Sequence, residues 1–439
     1  MKEEYRKRRG RLMKSISGGT AVFRSSPVAI MHNDVEYPYR QDSDFFYLTG
    51  CKEPEAVAVI APHHDQHQFV LFVQPKNPDQ EIWTGDRPGI EQAREDYGAD
   101  EVFLTTQIDE KLPKYLEDAD RIYYHFGRDR VFNEKMLGLW QLQINEYPKR
   151  GEGPIAIQDS GTILHPLRMV KSRAETDLMR TAIAISIEAH RQVQKIVRPG
   201  CYEYEIQAEI ESVFRRNGAD GPAYPTIVAS GPKSCILHYT ENDRKLCDNE
   251  LLLIDAGCSY DYYPADITRT IPVNGTFTPE QKAIYEIVLE AQKQAIAEIR
   301  PHNTYQQASE TSVRVITEGL LDLGLLSGNV EELITQEKYK PFFMHRLGHW
   351  IGLDVHDVGF YKQGEAPQQF QPGNLLTVEP GIYIGPHTQP AEGQPAIEEK
   401  WRGIGIRIED DVLVTAKGTE VLTAALPKSI KEIEQGSRK

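Results

Sequence analysis

With 439 residues, 40% of them hydrophobic and 26% charged, the chain is too long for one ordinary domain and has the apolar content for two normal cores. Its 50 basic against 65 acidic residues leave a net charge of −15, which argues against nucleic acid or an anionic membrane surface as the main partner. No apolar run is long enough to span a membrane, and part of the acidity can belong to a site that cations neutralise.

The opening MKEEYRKRRGRLMKSISGG is basic but lacks the apolar run of a signal peptide, and Glu3 and Glu4 do not suit a transit peptide. It reads as a surface helix. From about Thr20 to Ile157, strand-like runs (TAVFRSS, AVAVIAP, HQFVLFVQP, DRIYYHF) alternate with helical pieces near Gly89 to Tyr97 and Asn133 to Leu142, the pattern of an α/β domain. Within it YRQDSDFFYLTG, Tyr39 to Gly50, mixes polar and aromatic residues densely and reads as a strand and turn in the core. Gly and Pro in DSGTILHPLRMVKS mark a boundary, giving an N-terminal domain over 1–165 and a second domain over 166–439.

Ser172 opens a long amphipathic helix to Val197, with Glu175 at capping-box spacing, and Pro199-Gly200 stops it. A second helix covers 202–218, strand-like segments follow to Asp255, and two more helices cover 281–299 and 304–324. Strands TVEPGIYI and GIGIRIEDDVLVT close the chain. A helix pair followed by strands, twice over, points to an α+β domain of two similar halves without a literal repeat. The cysteines, at 51, 201, 235, 247 and 258, show no CxxC spacing, so reduced thiols of a cytoplasmic protein are expected. Cys258 lies close to DAG and reads as packing.

The chemistry concentrates in five words: LLLIDAG with Asp255, ADITRT with Asp266, HRLGHWIGLDVHDVG with His349, TVEPGIY with Glu379 and IGIRIED with Glu409. Each places a carboxylate or imidazole where an apolar strand meets Gly or Pro. A buried carboxylate without a partner costs several kcal/mol or takes up a proton, so something cationic must meet each acid. A salt bridge is the plain alternative for any one of them, and Arg269 is a candidate partner for Asp255. One or two arginines cannot serve four inward carboxylates. Four negative charges balance two divalent cations, and the oxygen-rich set favours manganese, iron, cobalt or magnesium over a closed zinc site.

His345 and His349 have the i, i+4 spacing of a zincin, but Arg346 stands where that motif needs glutamate, and Gly348 and Gly352 disfavour a helix. Three histidines within twelve positions, His345, His349 and His356, still favour a site over three structural histidines. His238, in ILHYTEND, is equally readable as a loop histidine.

The ordered set DAG, DITRT, GHWIGLDVHD, VEPGIY and IRIED resembles the pita-bread (creatinase/aminopeptidase) metallopeptidases from about Lys171 to the end. With the preceding α/β domain, YRQDSDFFYLTG and the His349-Trp350 pair, it looks most like the aminopeptidase P group. The resemblance implies two divalent ions, manganese foremost and cobalt, iron or zinc as alternatives. It implies that Asp255 binds one ion through both oxygens, that Asp266 and Glu409 bridge the pair, and that His349 and Glu379 complete the second. It also marks His238, His345 and His356 as active-site histidines and places Arg407 near the substrate, on the same strand face as Glu409.

The implied reaction is attack of a metal-bridging hydroxide on the scissile carbonyl of a peptide with proline second. His356 would hold the oxyanion with help from His238, Glu379 would carry a proton to the leaving nitrogen, and His345 would face the proline. Trp350 and Tyr383 are candidate walls of the proline pocket, with simple core packing as the plainer alternative. A prolidase limited to Xaa-Pro dipeptides and a metal-free pita-bread binding protein are the alternatives. Relatives of this type also imply a homo-oligomer, a tetramer or dimer, in which WTGDRPG at Trp83 to Gly89 could approach a neighbouring site.

Overall fold

The computed structural model describes residues 1–16 and 18–436; Ser17, inside the basic opening stretch, and residues 437–439 lie outside the described set. Two compact units form, Met1–Leu167 and Arg168–Lys439. The first is built on a mixed six-stranded sheet in the order Glu101–Leu104, Phe69–Val73, Val57–Ile60, Thr20–Arg24, Ile122–Tyr123, Ile157–Gln158. Val22, Val59, Val70 and Phe72 on these strands pack with Phe132 and Met136 of the helix Arg130–Arg150 in one apolar cluster.

Two expectations fail in this unit. The segment read as strand and turn is a helix, Ser43–Thr49, because Asp42 caps it by accepting from the Phe45 amide at 2.9 Å and Gly50 closes it in the left-handed region at φ 66°. Every residue of that helix is buried, so no alternation of polar and apolar residues was there to read, and the caps override the strand preference of its aromatics. The opening helix, Lys2–Ser15, is not confined to the surface either. Its buried Arg8 and Arg9 donate to the carbonyls of Tyr47 (3.2 Å) and Leu48 (2.9 Å), where a helix end carries partial negative charge.

In the second unit, the helix Arg173–Ile196 starts with the full Ser172/Glu175 capping box and packs beside Glu203–Arg216. A second packed pair, Pro279–Glu298 and Tyr305–Asp322, follows the first set of strands. Those strands form an antiparallel sheet in the order Ile227–Ser230, Leu251–Asp255, Thr268–Pro272. The closing strands make two ladders: Leu375–Val378 pairs with Asp410–Thr415, and Gly381–Ile384 pairs with Ile404–Arg407. A helix, Gly161–Met169, occupies most of the stretch read as a boundary.

The two closing ladders share the same pair of chain segments but are separate sheets. Both segments leave one ladder and enter the other at Glu379-Pro380 and Ile408-Glu409. Pro380 has no amide hydrogen to donate, so a break in the ladder costs nothing there. Glu379 and Glu409 are thus set opposite each other where neither is committed to strand pairing.

Candidate metal centre

Asp255 ends the central strand of its sheet, and Ile227 and Thr268 are its register partners on either side. Asp266 lies two residues before Thr268, on the turn that brings the chain back. That turn is tight: a Cβ on Gly257 would stand 1.8 Å from the Ala265 carbonyl oxygen, which accounts for the glycine of DAG. His349 is carried by a loop laid along Leu375–Val378. The His349 amide donates to Thr377 Oγ1 (3.0 Å), the Thr377 amide to the His349 carbonyl (2.9 Å), and the Glu379 amide to the Leu347 carbonyl (2.8 Å). A Cβ on Gly348 would meet the Thr377 carbonyl oxygen at 2.1 Å, so only glycine allows this approach. The loop is not helical, in keeping with the rejected zincin reading.

Ligand atoms of Asp266, His349 and Glu409 lie within 4.8 Å of one another. His349 Nε2 is 3.5 Å from Asp266 Oδ2 and 3.5 Å from Glu379 Oε1. Asp255 faces the same cleft, with Oδ1 accepting from the Tyr224 hydroxyl (2.7 Å) and Oδ2 from Arg407 (2.6 Å). The cleft, about 830 Å³, is also lined by His238, His345 and His356, and the ring centres of His349 and His356 are 4.2 Å apart. The five candidate ligands, His238, His345, His356 and Arg407 all line this one cleft.

A family model for metallopeptidase family M24 matches residues 177–416, more than half of the 439. The chain belongs to metallopeptidase family M24. A model for the aminopeptidase P N-terminal domain matches residues 5–123 of this M24 peptidase. The Xaa-Pro aminopeptidase of Escherichia coli is 41% identical to it over 436 residues, 99% of this chain and 97% of that protein. Human Xaa-Pro aminopeptidase 3 is 33% identical over 450 residues, covering 98% of this chain and 85% of the relative. Among solved structures, Pseudomonas aeruginosa aminopeptidase PepP superposes with a TM-score of 0.95 at 46% identity, covering 100% of this chain and 98% of that one. Zn-substituted E. coli aminopeptidase P in complex with product superposes at 0.93 with 40% identity, covering 100% and 98%. The fold of the M24 peptidase is accordingly the pita-bread domain preceded by a smaller α/β domain.

Its electrostatics are those of buried acids crowded together. Burial, then Asp266, Glu379 and Asp255, push the Glu409 carboxyl well above the usual range. Glu379 rises to about 7 through burial, although His349 and Arg407 pull the other way. Asp255 is raised by burial and by Asp266 despite Arg407. Burial opposes charge on His349, but Asp266 and Glu379 outweigh it and lift the imidazole to about 9. Burial thus disfavours the charged forms of Asp255, Glu379 and Glu409, while the acids around His349 favour its charged form. The residues fit divalent ions: hard oxygens converge on one imidazole, and His349 Nδ1 lies 3.1 Å from the Trp350 carbonyl, the contact that leaves Nε2 to face the acids.

Some partners differ from expectation. Arg269 does not meet Asp255; it is buried against Asp410 (2.8 Å), and Arg407 takes the place beside Asp255. Trp350 is not a cleft wall, because it is stacked on Tyr361 at 5.4 Å and packed edge-on against Phe370 inside the core. Tyr383 is a buried ring whose hydroxyl alone reaches the site, accepting from Arg407 (3.0 Å) and 2.8 Å from His345 Nε2. Cys258 packs against the helix Arg173–Ile196, its Sγ 3.3 Å from the Ala182 carbonyl.

Four supporting residues carried no signal of their own in the sequence. Tyr224 holds Asp255, and Thr268 donates to Glu409 Oε2 (2.7 Å) while accepting from Arg407 Nε (3.1 Å). His190, kept neutral at about 4 by burial, is 2.9 Å from the Ala256 carbonyl behind DAG. Asp411, fully buried, accepts the Asp266 amide at 3.1 Å, and its Oδ1 has no donor among the described residues. The only hint of it was the doubled acid in IEDD.

Proposed function

We propose that this M24 peptidase releases the N-terminal residue from peptides with proline in the second position, with two divalent ions held by Asp255, Asp266, His349, Glu379 and Glu409. Manganese is the first choice, with cobalt, iron or zinc as alternatives. One observation carries the reading: four acids and one imidazole face a single cleft, and burial with mutual repulsion raises three of the acids, Asp255, Glu379 and Glu409. Among the described residues, Arg407 is the one guanidinium bonded to any of these carboxylates. The names of the relatives that match nearly the whole chain support an Xaa-Pro aminopeptidase over a prolidase.

Bound ions would supply the nucleophile chemistry, since coordination lowers the pKa of water toward neutrality. The chain's own residues account for the rest. Arg407 and Tyr224 fix the orientation of Asp255, and Thr268 links Arg407 to Glu409. Glu379 is the carboxylate placed to accept a proton and deliver it to the leaving imino nitrogen. His356, whose pKa burial and then His349 lower, is a neutral donor for the developing oxyanion, and His238 lies in the same cleft to assist it. His345 has both nitrogens engaged, by the Arg346 carbonyl at 2.7 Å and the Tyr383 hydroxyl at 2.8 Å. That suits it to form a wall beside a proline ring, whose tertiary amide offers no N–H to satisfy.

The reaction belongs to the domain over 166–439, and the domain over 1–165 is assigned no ligand. The protein is assigned to the cytoplasm, and no helix among the described residues is long and apolar enough to cross a membrane. Assembly as a tetramer or dimer is supported by Trp83, which opens WTGDRPG and is 87% exposed, and by Ile82 just before it, 81% exposed. Sedimentation at micromolar concentration should then give a species larger than monomer; monomer alone would remove the oligomer. For the activity, protein purified without chelator should carry metal, lose cleavage of an Xaa-Pro-Xaa tripeptide in EDTA and regain it with Mn²⁺. Cleavage of Xaa-Pro dipeptides without tripeptides would favour the prolidase reading, and undiminished activity in EDTA would end the metal reading.

A further inference from the structure

The cleft contains a second arginine that the proposed reaction does not use. Arg346 follows His345 directly, lines the cleft and is exposed, in contrast to the buried Arg407. Arg407 is occupied by Asp255, Thr268 and Tyr383. Arg346 has no carboxylate partner among the described residues; its guanidinium carbon stands 5.9 Å from the ring centre of Tyr361, another lining residue. Tyr361 is itself fixed, its hydroxyl accepting from the Trp350 amide at 3.2 Å and its ring 4.8 Å from that of Tyr305. Arg346 precedes Leu347, whose carbonyl accepts the Glu379 amide at 2.8 Å. Arg346 thus belongs to the Glu379 side of the cleft, the side from which the leaving nitrogen is protonated.

A cation kept free in a protein of net charge −15, beside a rigid aromatic platform, is available to a ligand anion. We propose that Arg346 is a specificity-determining residue that binds a carboxylate on the substrate just beyond the proline. The preferred substrates are then short peptides whose C-terminal carboxylate falls there, or longer ones with an acidic third residue. The assignment rests on the aminopeptidase reading and refines it. It asks nothing of Arg346 in bond cleavage, so substitution should alter KM for charged substrates and leave kcat in place.

The test compares Ala-Pro-Ala as the free acid, the same peptide as its C-terminal amide, and Ala-Pro-Asp amide, using metal-loaded full-length protein. Wild type should favour the free acid over the amide by about ten-fold in kcat/KM, through KM, with the ratio shrinking as salt is added. Arg346→Ala should bring the ratio close to one while cleaving the amide at the wild-type rate, and Arg346→Lys should restore part of the preference. Preference for the tripeptide acid alone identifies the C-terminal carboxylate as the ligand; preference for Ala-Pro-Asp amide over Ala-Pro-Ala amide identifies the acidic side chain. A wild-type ratio of one for both charged peptides, or a ratio that survives Arg346→Ala, overturns the assignment. Failure to cleave any of the three overturns the aminopeptidase reading instead.

Discussion

Glu409→Gln is expected to lower kcat/KM on an Xaa-Pro-Xaa tripeptide by at least about 10³-fold, since even residues that only support metal ligands are worth 10- to 100-fold. Gln keeps the volume and can still accept from Thr268, which donates to Glu409 Oε2 at 2.7 Å, so the fold should survive. What disappears is the charge. In chelator the variant should melt no lower than wild type, because a buried carboxylate repelled by Asp266, Glu379 and Asp255 has been removed. With Mn²⁺ the wild type should gain stability by mass action and the variant should gain much less.

The sign of the pH dependence follows from the same groups. Asp255, Glu379 and Glu409 have raised carboxyl pKa values in the folded metal-free protein, so the folded chain holds protons that the unfolded chain releases. The contribution of these three groups to metal-free stability is therefore greatest below the ordinary carboxylate range and declines as pH rises through it, to about 7 for Glu379. Kinetics, elemental analysis and thermal scans with and without Mn²⁺ check these expectations. Wild-type turnover in Glu409→Gln, or an equal metal-induced shift, would remove Glu409 from the metal centre.

Arg269→Met should be the most damaging change that touches no substrate. Its guanidinium donates to the carbonyls of Thr268 (2.9 Å), Glu409 (2.5 Å), Leu426 (3.1 Å) and Pro427 (3.1 Å) and to Asp410 Oδ1 (2.8 Å). Lys428 and Thr423 also reach Asp410, but with Arg269 gone the fully buried carboxylate faces one cation in place of two. Breaking a buried pair from one side costs about 3–5 kcal/mol, which for a unit of this size lowers Tm by about 10 °C. Urea and thermal unfolding give the measurement. A Tm within about 2 °C of wild type would mean that Lys428 alone neutralises Asp410.

The same arginine marks where local reading stops. ADITRT and IGIRIED each contain one arginine two or three residues from an acid, and nothing in either word says which arginine serves Asp255. The answer depends on strands brought together from positions more than a hundred residues apart. Arg407 lies opposite Gly381 in its ladder and reaches Asp255, while Arg269 turns to Asp410. Tyr224, Thr268, His190 and Asp411 escaped notice for the same reason, since a supporting hydroxyl or carboxylate has no local pattern.

The sequence by itself determined what is written over a few adjacent residues. Capped helices such as Arg173–Ile196, the strand ends bearing each acid, and the glycines that permit close approach at Gly257 and Gly348 are set by propensity, capping and steric need. Only the tertiary structure decided which charges face one another, why Trp350 belongs to the core, that Ser43–Thr49 is a helix, and that Arg346 lies over Tyr361 with no carboxylate partner among the described residues. Those outcomes depend on burial and distance between remote segments, and both come into being only when the chain has packed.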